Sequence, residues 1–151
     1  MPILSNIKVI KIDSETKEII KSKFTFGLYA DKECTQLIKE VESDKKEGTA
    51  LFENIRYGKF YIKEIEAPKS YELSSEIVEL EINDKGVFIN GNQVEENDKV
   101  YSFEFANKPI PKIQTGNEIN YIVLISSIVI SLLGITSGIV ILKRNKKISK
   151  N

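Results

Sequence analysis

From residue 7 to residue 107, apolar side chains recur at every second position in short bursts, and most bursts end at Gly, Pro, Asn or Asp. A period of two marks a strand with one buried face, whereas a helix needs apolar positions three and four apart. The bursts are 7–12 (IKVIKI), 24–29 (FTFGLY), 37–41, 49–55 (TALFENI), 60–65, 77–82 (IVELEI), 87–89 and 100–106 (VYSFEFA), with 37–41 the weakest. Turn chemistry separates them at Asp13-Ser14-Glu15-Thr16-Lys17, Glu47-Gly48, Asn83-Asp84-Lys85-Gly86 and Asn90-Gly91-Asn92. No segment reads as an amphipathic helix, and no internal repeat is visible. The expectation for residues 7–108 is therefore an all-β sandwich.

After Asn107 the character changes. Lys108-Pro109-Ile110-Pro111-Lys112 reads as an extended linker, within a connecting segment 109–118. Residues 119–142 carry no charge, and residues 121–142 as a helix would span roughly 33 Å, enough for a bilayer core of about 30 Å. A sandwich of this size has no room to surround such a helix, so a single C-terminal transmembrane helix is expected. Residues 143–151 hold Lys143, Arg144, Lys146, Lys147 and Lys150, which the positive-inside rule keeps in the cytoplasm, with the β domain outside. Residues 1–6 lack a basic segment followed by an apolar run, so they read as a short leader and not as a signal peptide. The expectation is a fragment of a longer exported chain, or a truncated gene.

The net charge of zero conceals an asymmetry. Five of the 22 bases lie in 143–151, leaving 17 against 22 acids in the remainder. Such a body is a poor nucleic-acid binder. With no His and one Cys, the usual zinc sites, His-based triads and internal disulfides are excluded, and no cofactor or metal is expected. Cys34-Thr35-Gln36 raises the idea of a thioester, but the spacing is unusual, and a lone loop or edge cysteine accounts for it.

Parity exposes three misplaced polar residues. Lys11 shares a face with Ile7 and Val9, Glu64 with Phe60 and Ile62, and Asn107 with Tyr101, Phe103 and Phe105. If these faces are buried, the carboxyl tends to be protonated and the amine to lose its proton, which makes the amine a nucleophile. A protonated Glu64 could then donate to the amide oxygen of Asn107 and polarise its carbonyl while Lys11 attacks. The product would be an amide link between Lys11 and Asn107, formed once, with loss of ammonia. The same parity admits a plainer reading. Strand ends often carry charges, and Lys11 and Glu64 could form a half-exposed ion pair worth little. The opposite face of the first strand (Lys8, Ile10, Ile12) is equally apolar.

Several motifs carry a resemblance. Lys11-Ile12-Asp13, Phe26-Gly27-Leu28-Tyr29, Phe52-Glu53-Asn54-Ile55 and Gly58-Lys59-Phe60-Tyr61 lead to Glu64-Ile65-Glu66-Ala67-Pro68-Lys69-Ser70-Tyr71, and Asn107-Lys108-Pro109 closes the set. Residues 7–108 resemble a CnaB-type (SpaA-type, prealbumin-like) domain of Gram-positive surface proteins, with 64–71 as the family's E-box. The resemblance implies an Ig-like, prealbumin-like β-sandwich. It also implies an isopeptide bond between Lys11 and Asn107, promoted by Glu64. Ser70 stands where the family commonly has Gly. Residues 112–151 resemble a sortase sorting signal, with Ile113, Gln114, Thr115 and Gly116 as the motif and Thr115–Gly116 as the cut. Ile113 stands where the familiar pattern has Pro. An anchor that is never cut is the plainer alternative.

Together these imply a structural stalk or pilin-like module on the cell surface, anchored to the wall. Its partners would be sortase, peptidoglycan, the membrane through 119–142, and other pilin subunits or a host ligand. Turnover catalysis is not expected. The rival is an adhesive module that grips a host or matrix ligand by its loops.

Overall fold

The computed structural model describes residues 4–113, and among them there is no helix. Ten strands run in order: β1 Ser5–Asp13, β2 Thr25–Tyr29, β3 Leu37–Glu42, β4 Thr49–Ile55, β5 Gly58–Glu66, β6 Ile77–Asn83, β7 Gly86–Ile89, β8 Asn92–Val94, β9 Glu96–Asn97 and β10 Val100–Asn107. They form two sheets, one ordered β4-β1-β10-β9 and the other β3-β2-β5-β6-β7-β8. The expected sandwich is present. The expected transmembrane helix 119–142 and basic tail 143–151 lie outside the described residues.

Alternation explains why the sheets face one another. β1 buries Ile7, Val9 and Lys11 and leaves Lys8 and Ile10 partly covered. The opposite face of β1 is therefore not the core face, which the sequence left open. β4 contributes Ala50 and Phe52, and β10 contributes Phe105. From the other sheet come Phe26 and Leu28 of β2, Ile62 of β5, Val78, Leu80 and Ile82 of β6, and Val87 of β7. Each fully buried large apolar side chain contributes about 1.5–3 kcal/mol against leaving it in water. Phe26 packs edge-on to Phe24 and to Phe105, with ring centroids 5.8 and 4.9 Å apart. That geometry suits the charge distribution of aromatic rings.

β1 and β10 pair in parallel, in a continuous register from Asn6↔Val100 to Asp13↔Asn107. This pairing places Lys11 beside Phe105 and Asn107 two positions further along on the same face. On its other side β1 pairs antiparallel with β4. The backbone of Lys11 is fixed independently of the ladders: its N–H donates to Gly48 O at 3.0 Å and its carbonyl accepts from Ile20 N at 2.9 Å.

Two elements were not legible in the sequence. β8 and β9 are three and two residues long and mostly exposed, too short for any alternation to register. The segment expected as a linker from 109 onwards is also held to the domain at its start. Pro109 bridges to Tyr71, and Ile110 N donates to Ser70 O at 2.9 Å. At the other end, β1 already begins at Ser5, within the expected leader.

Gly48 decides the turn before β4. Its φ is +67°, and an added Cβ would lie 2.7 Å from the Ile20 carbonyl oxygen. Gly48→Ala should destabilise the domain by about 2 kcal/mol, from the left-handed backbone and the backbone clash together. Chemical unfolding of the Gly48→Ala variant beside the parent measures it.

Candidate functional site

Lys11, Glu64 and Asn107 come from three strands in two sheets, and the sandwich brings their tips together. All three are sealed from solvent, at 0, 1 and 1 % exposure. The cause is the strand parity: each is the inward polar member of an otherwise apolar face. Lys11 donates to Glu64 Oε1. The Asn107 amide nitrogen donates to the same carboxyl, 3.0 Å from Oε1 and 2.8 Å from Oε2. The carboxyl is therefore the hub, with the amine on one side and the amide on the other. The half-exposed ion pair left open by the sequence is not what forms.

The walls are aromatic. The Lys11 Nζ lies 4.1, 4.6 and 5.5 Å from the ring centroids of Phe105, Phe26 and Phe24. Burial among them pushes the amine down to about 8 from its usual 10.5, while the Glu64 hydrogen bond and charge, and more distantly Glu76, pull the other way. At neutral pH the neutral, nucleophilic fraction rises from about 0.03 % for an ordinary lysine to about 10 %.

The roof is the segment after β5. Ser74 N–H donates to Glu64 Oε2 at 2.9 Å, and the Glu72 carbonyl accepts from Asn107 Nδ2 at 2.8 Å. That carbonyl can only accept, so it fixes which end of the amide faces it. The carboxyl consequently meets the amide nitrogen, where the sequence led us to expect the oxygen. Asn107 Oδ1 is buried and has no partner, an arrangement that costs about 1–3 kcal/mol.

The E-box continues into a clamp. Tyr71 OH donates to Asp13 Oδ2 at 2.9 Å. Asp13 Oδ1 accepts from Glu15 N and Thr16 N at 2.7 and 3.0 Å. Those backbone bonds first, and the Tyr71 hydroxyl after them, hold the Asp13 carboxyl below its usual range. Glu72 N donates to Lys108 O, and Ser14 N to Asn107 O, both at 2.9 Å. Sequence reasoning did not single out Asp13 and Tyr71 individually, although the Asp13-Ser14-Glu15-Thr16 turn was visible. The Glu72 carbonyl and Ser74 amide are backbone groups and leave no trace in side-chain patterns.

The remaining candidates lie elsewhere. Ile113 is exposed, and Gln114, Thr115 and Gly116 fall outside the described residues. Cys34 is half-buried in a loop closed by Asp31, and burial pushes its thiol up.

The sequence signature described as SpaA, prealbumin-like fold domain, matches residues 5–98. The chain belongs to this family. The SpaA-type domain also superimposes on solved structures at low identity, a likeness that shows the fold. The TIE protein of Bacillus anthracis matches 71 % of this chain and 17 % of its own, at 20 % identity and TM-score 0.53. The group B streptococcus pilus 2b backbone protein matches 74 % and 43 %, at 16 % identity and TM-score 0.56. A C-terminal fragment of the pilus adhesin SpaC from Lactobacillus rhamnosus GG matches 74 % and 47 %, at 14 % identity and TM-score 0.55. The chain spans less than half the length of each. No curated protein sequence matches it significantly.

Within the SpaA-type fold, Ser70 now has a physical account. Its φ is +72°, a left-handed backbone that glycine adopts freely and serine does not. Ser70→Gly should stabilise the domain by about 0.5–1 kcal/mol, read by chemical unfolding.

The lysine predicts a pH effect of definite sign. Asn107→Ala removes the acyl group but keeps Lys11 buried. Between pH 8 and 10.5 the unfolded chain then holds a proton on Lys11 that the folded chain has released, so stability rises with pH. Relative to Lys11→Met in the same background, the gain should approach about 3 kcal/mol between pH 7 and 11. Unfolding free energies of the two variants across that range check it.

Proposed function

We propose that the chain is a load-bearing, pilin-like or stalk module of a Gram-positive surface assembly, closed on itself by a Lys11–Asn107 isopeptide bond. The observation that carries this reading is the sealed contact of Lys11, Glu64 and Asn107. The reactive arrangement has the shared proton on the carboxyl and the amine bare. Lys11 Nζ attacks Asn107 Cγ, and a C–N bond forms. Glu64 gives its proton to Asn107 Nδ2, the C–Nδ2 bond breaks, and ammonia leaves. Glu64 then takes a proton from Nζ and is restored. The step occurs once per chain, so the module is not a turnover enzyme. Contact between the carboxyl and the amide nitrogen supports a proton relay to the leaving group more directly than polarisation of the carbonyl.

The parallel β1–β10 pair supports the mechanical part. Force entering at Ser5 and leaving beyond Asn107 loads this ladder in shear. A covalent link near its far end would carry that load from strand to strand without opening the sheet. By analogy with a disulfide, closing a loop of about 100 residues restricts the unfolded chain by about 4–5 kcal/mol. The pilus proteins among the structural neighbours support a place on the cell surface. Residues 113–116, the uncharged run 119–142 and the bases of 143–151 support attachment to peptidoglycan by a sortase, with Thr115–Gly116 as the cut.

Intact-mass measurement of expressed residues 1–112 tests the crosslink. The parent should be lighter than its sequence mass by one ammonia. Glu64→Ala should restore the full mass and lower the melting temperature by about 15–25 °C. A parent at full mass rules the bond out, and a Glu64→Ala chain that still loses ammonia rules out the role given to Glu64. For attachment, Thr115→Ala should leave the protein in the membrane fraction, where the parent is released with the wall.

A further inference from the structure

Residues 70–76 belong to no strand, and Ser70, Glu72, Leu73, Ser75 and Glu76 are exposed. Yet two backbone groups of this thin roof reach inward. Ser74 N–H holds the Glu64 carboxyl, and the Glu72 carbonyl holds the Asn107 nitrogen. Among the described residues no other segment hydrogen-bonds both groups from its backbone. The placement of the roof therefore governs the alignment of acid and leaving group.

What seats the roof is also on the page. Tyr71 bridges to Pro109, Glu72 N donates to Lys108 O, and Ile110 N donates to Ser70 O. All three lead to the chain just after β10, which could swing away together with the roof. The Tyr71 hydroxyl on Asp13 is different, because Asp13 belongs to β1, two residues from Lys11 on the same strand. Asp13 is also the register partner of Asn107. Its Oδ1 is occupied by the Glu15 and Thr16 amides, which leaves Oδ2 turned to the tyrosine.

We propose that Tyr71 and Asp13 are positioning residues for the coupling of Lys11 to Asn107. Their hydrogen bond ties the roof to the strand that carries the nucleophile, so that amine, acid and leaving nitrogen are held in one geometry. This rests on the crosslinking reading given above. Misplacing reacting groups by about 1 Å costs up to about 100-fold in rate, and the clamp is the contact whose loss permits such a shift without unfolding the sandwich.

The test follows crosslinking in time in the full chain, translated cell-free into detergent micelles and sampled after translation stops. The crosslinked product is read by intact mass and by its faster migration on denaturing gels. Tyr71→Phe removes one hydroxyl and should slow crosslinking by about 10- to 100-fold. Asp13→Asn keeps an oxygen for the Glu15 and Thr16 amides and an amide that can pair with the tyrosine oxygen, so it should react close to the parent rate. Val87→Ala removes a buried side chain on β7, distant in the fold, and controls for lost stability. Thermal midpoints in the Asn107→Ala background rank the variants without a crosslink intervening. Val87→Ala should be at least as destabilised as Tyr71→Phe and yet crosslink near the parent rate. A Tyr71→Phe chain that reacts at the parent rate, or a Val87→Ala chain slowed as much, overturns the proposal. If the parent loses no ammonia, the crosslinking reading itself fails and this proposal falls with it.

Discussion

The contact between Lys11 and Glu64 is what permits a lysine in the dry interior of this sandwich. An uncompensated buried ammonium costs several kcal/mol, and even a well-made buried ion pair rarely adds stability over an apolar substitute. A fold selected for stability alone would place another Leu or Phe at these positions, as it does at Phe26, Ile62 and Phe105. The pair is retained against that gradient, and its surroundings explain what it gains. Three phenylalanine rings exclude water from the amine, and the carboxyl stands between the amine and an amide. Desolvation lowers the affinity of Lys11 for its proton, and the adjacent acid offers the proton somewhere to go.

Asn107 shows the same tension from the other side. Its nitrogen is saturated with acceptors while its buried oxygen has none. An amide kept only for structure would be matched at both ends. The bare oxygen is consistent with a group whose ground state is less well served than a rearranged one. The family match and the solved neighbours establish the fold at identities of 14 to 20 %. The chemical reading comes from these three side chains and the backbone around them.

Much of this was legible before any coordinates, because strand parity is a strong constraint. Lys11 lies in line with Ile7 and Val9, Glu64 with Ile62, and Asn107 with Phe105, so one buried face carries all three inward. Parity could not decide between the two apolar faces of β1. That choice depends on β10 and β4 flanking it, which is a long-range fact. The short edges β8 and β9 escaped for a different reason: two or three polar residues form a strand only because a neighbour is already in place. The roof escaped because backbone groups do the work there, and every residue has the same ones. The orientation of the Asn107 amide followed from the roof, so the expectation about its oxygen could not have been corrected from sequence.

The parallel pairing of β1 with β10 also has a geometric corollary. Chain enters along one strand and departs along its neighbour in the same direction, so entrance and exit stand a full strand apart. Eight residues of β10 at about 3.3 Å each make that separation about 26 Å. Modules of this topology threaded in series would each add a similar increment of span. A surface fibre built from them would set its reach by counting domains, much as a ruler does by its divisions.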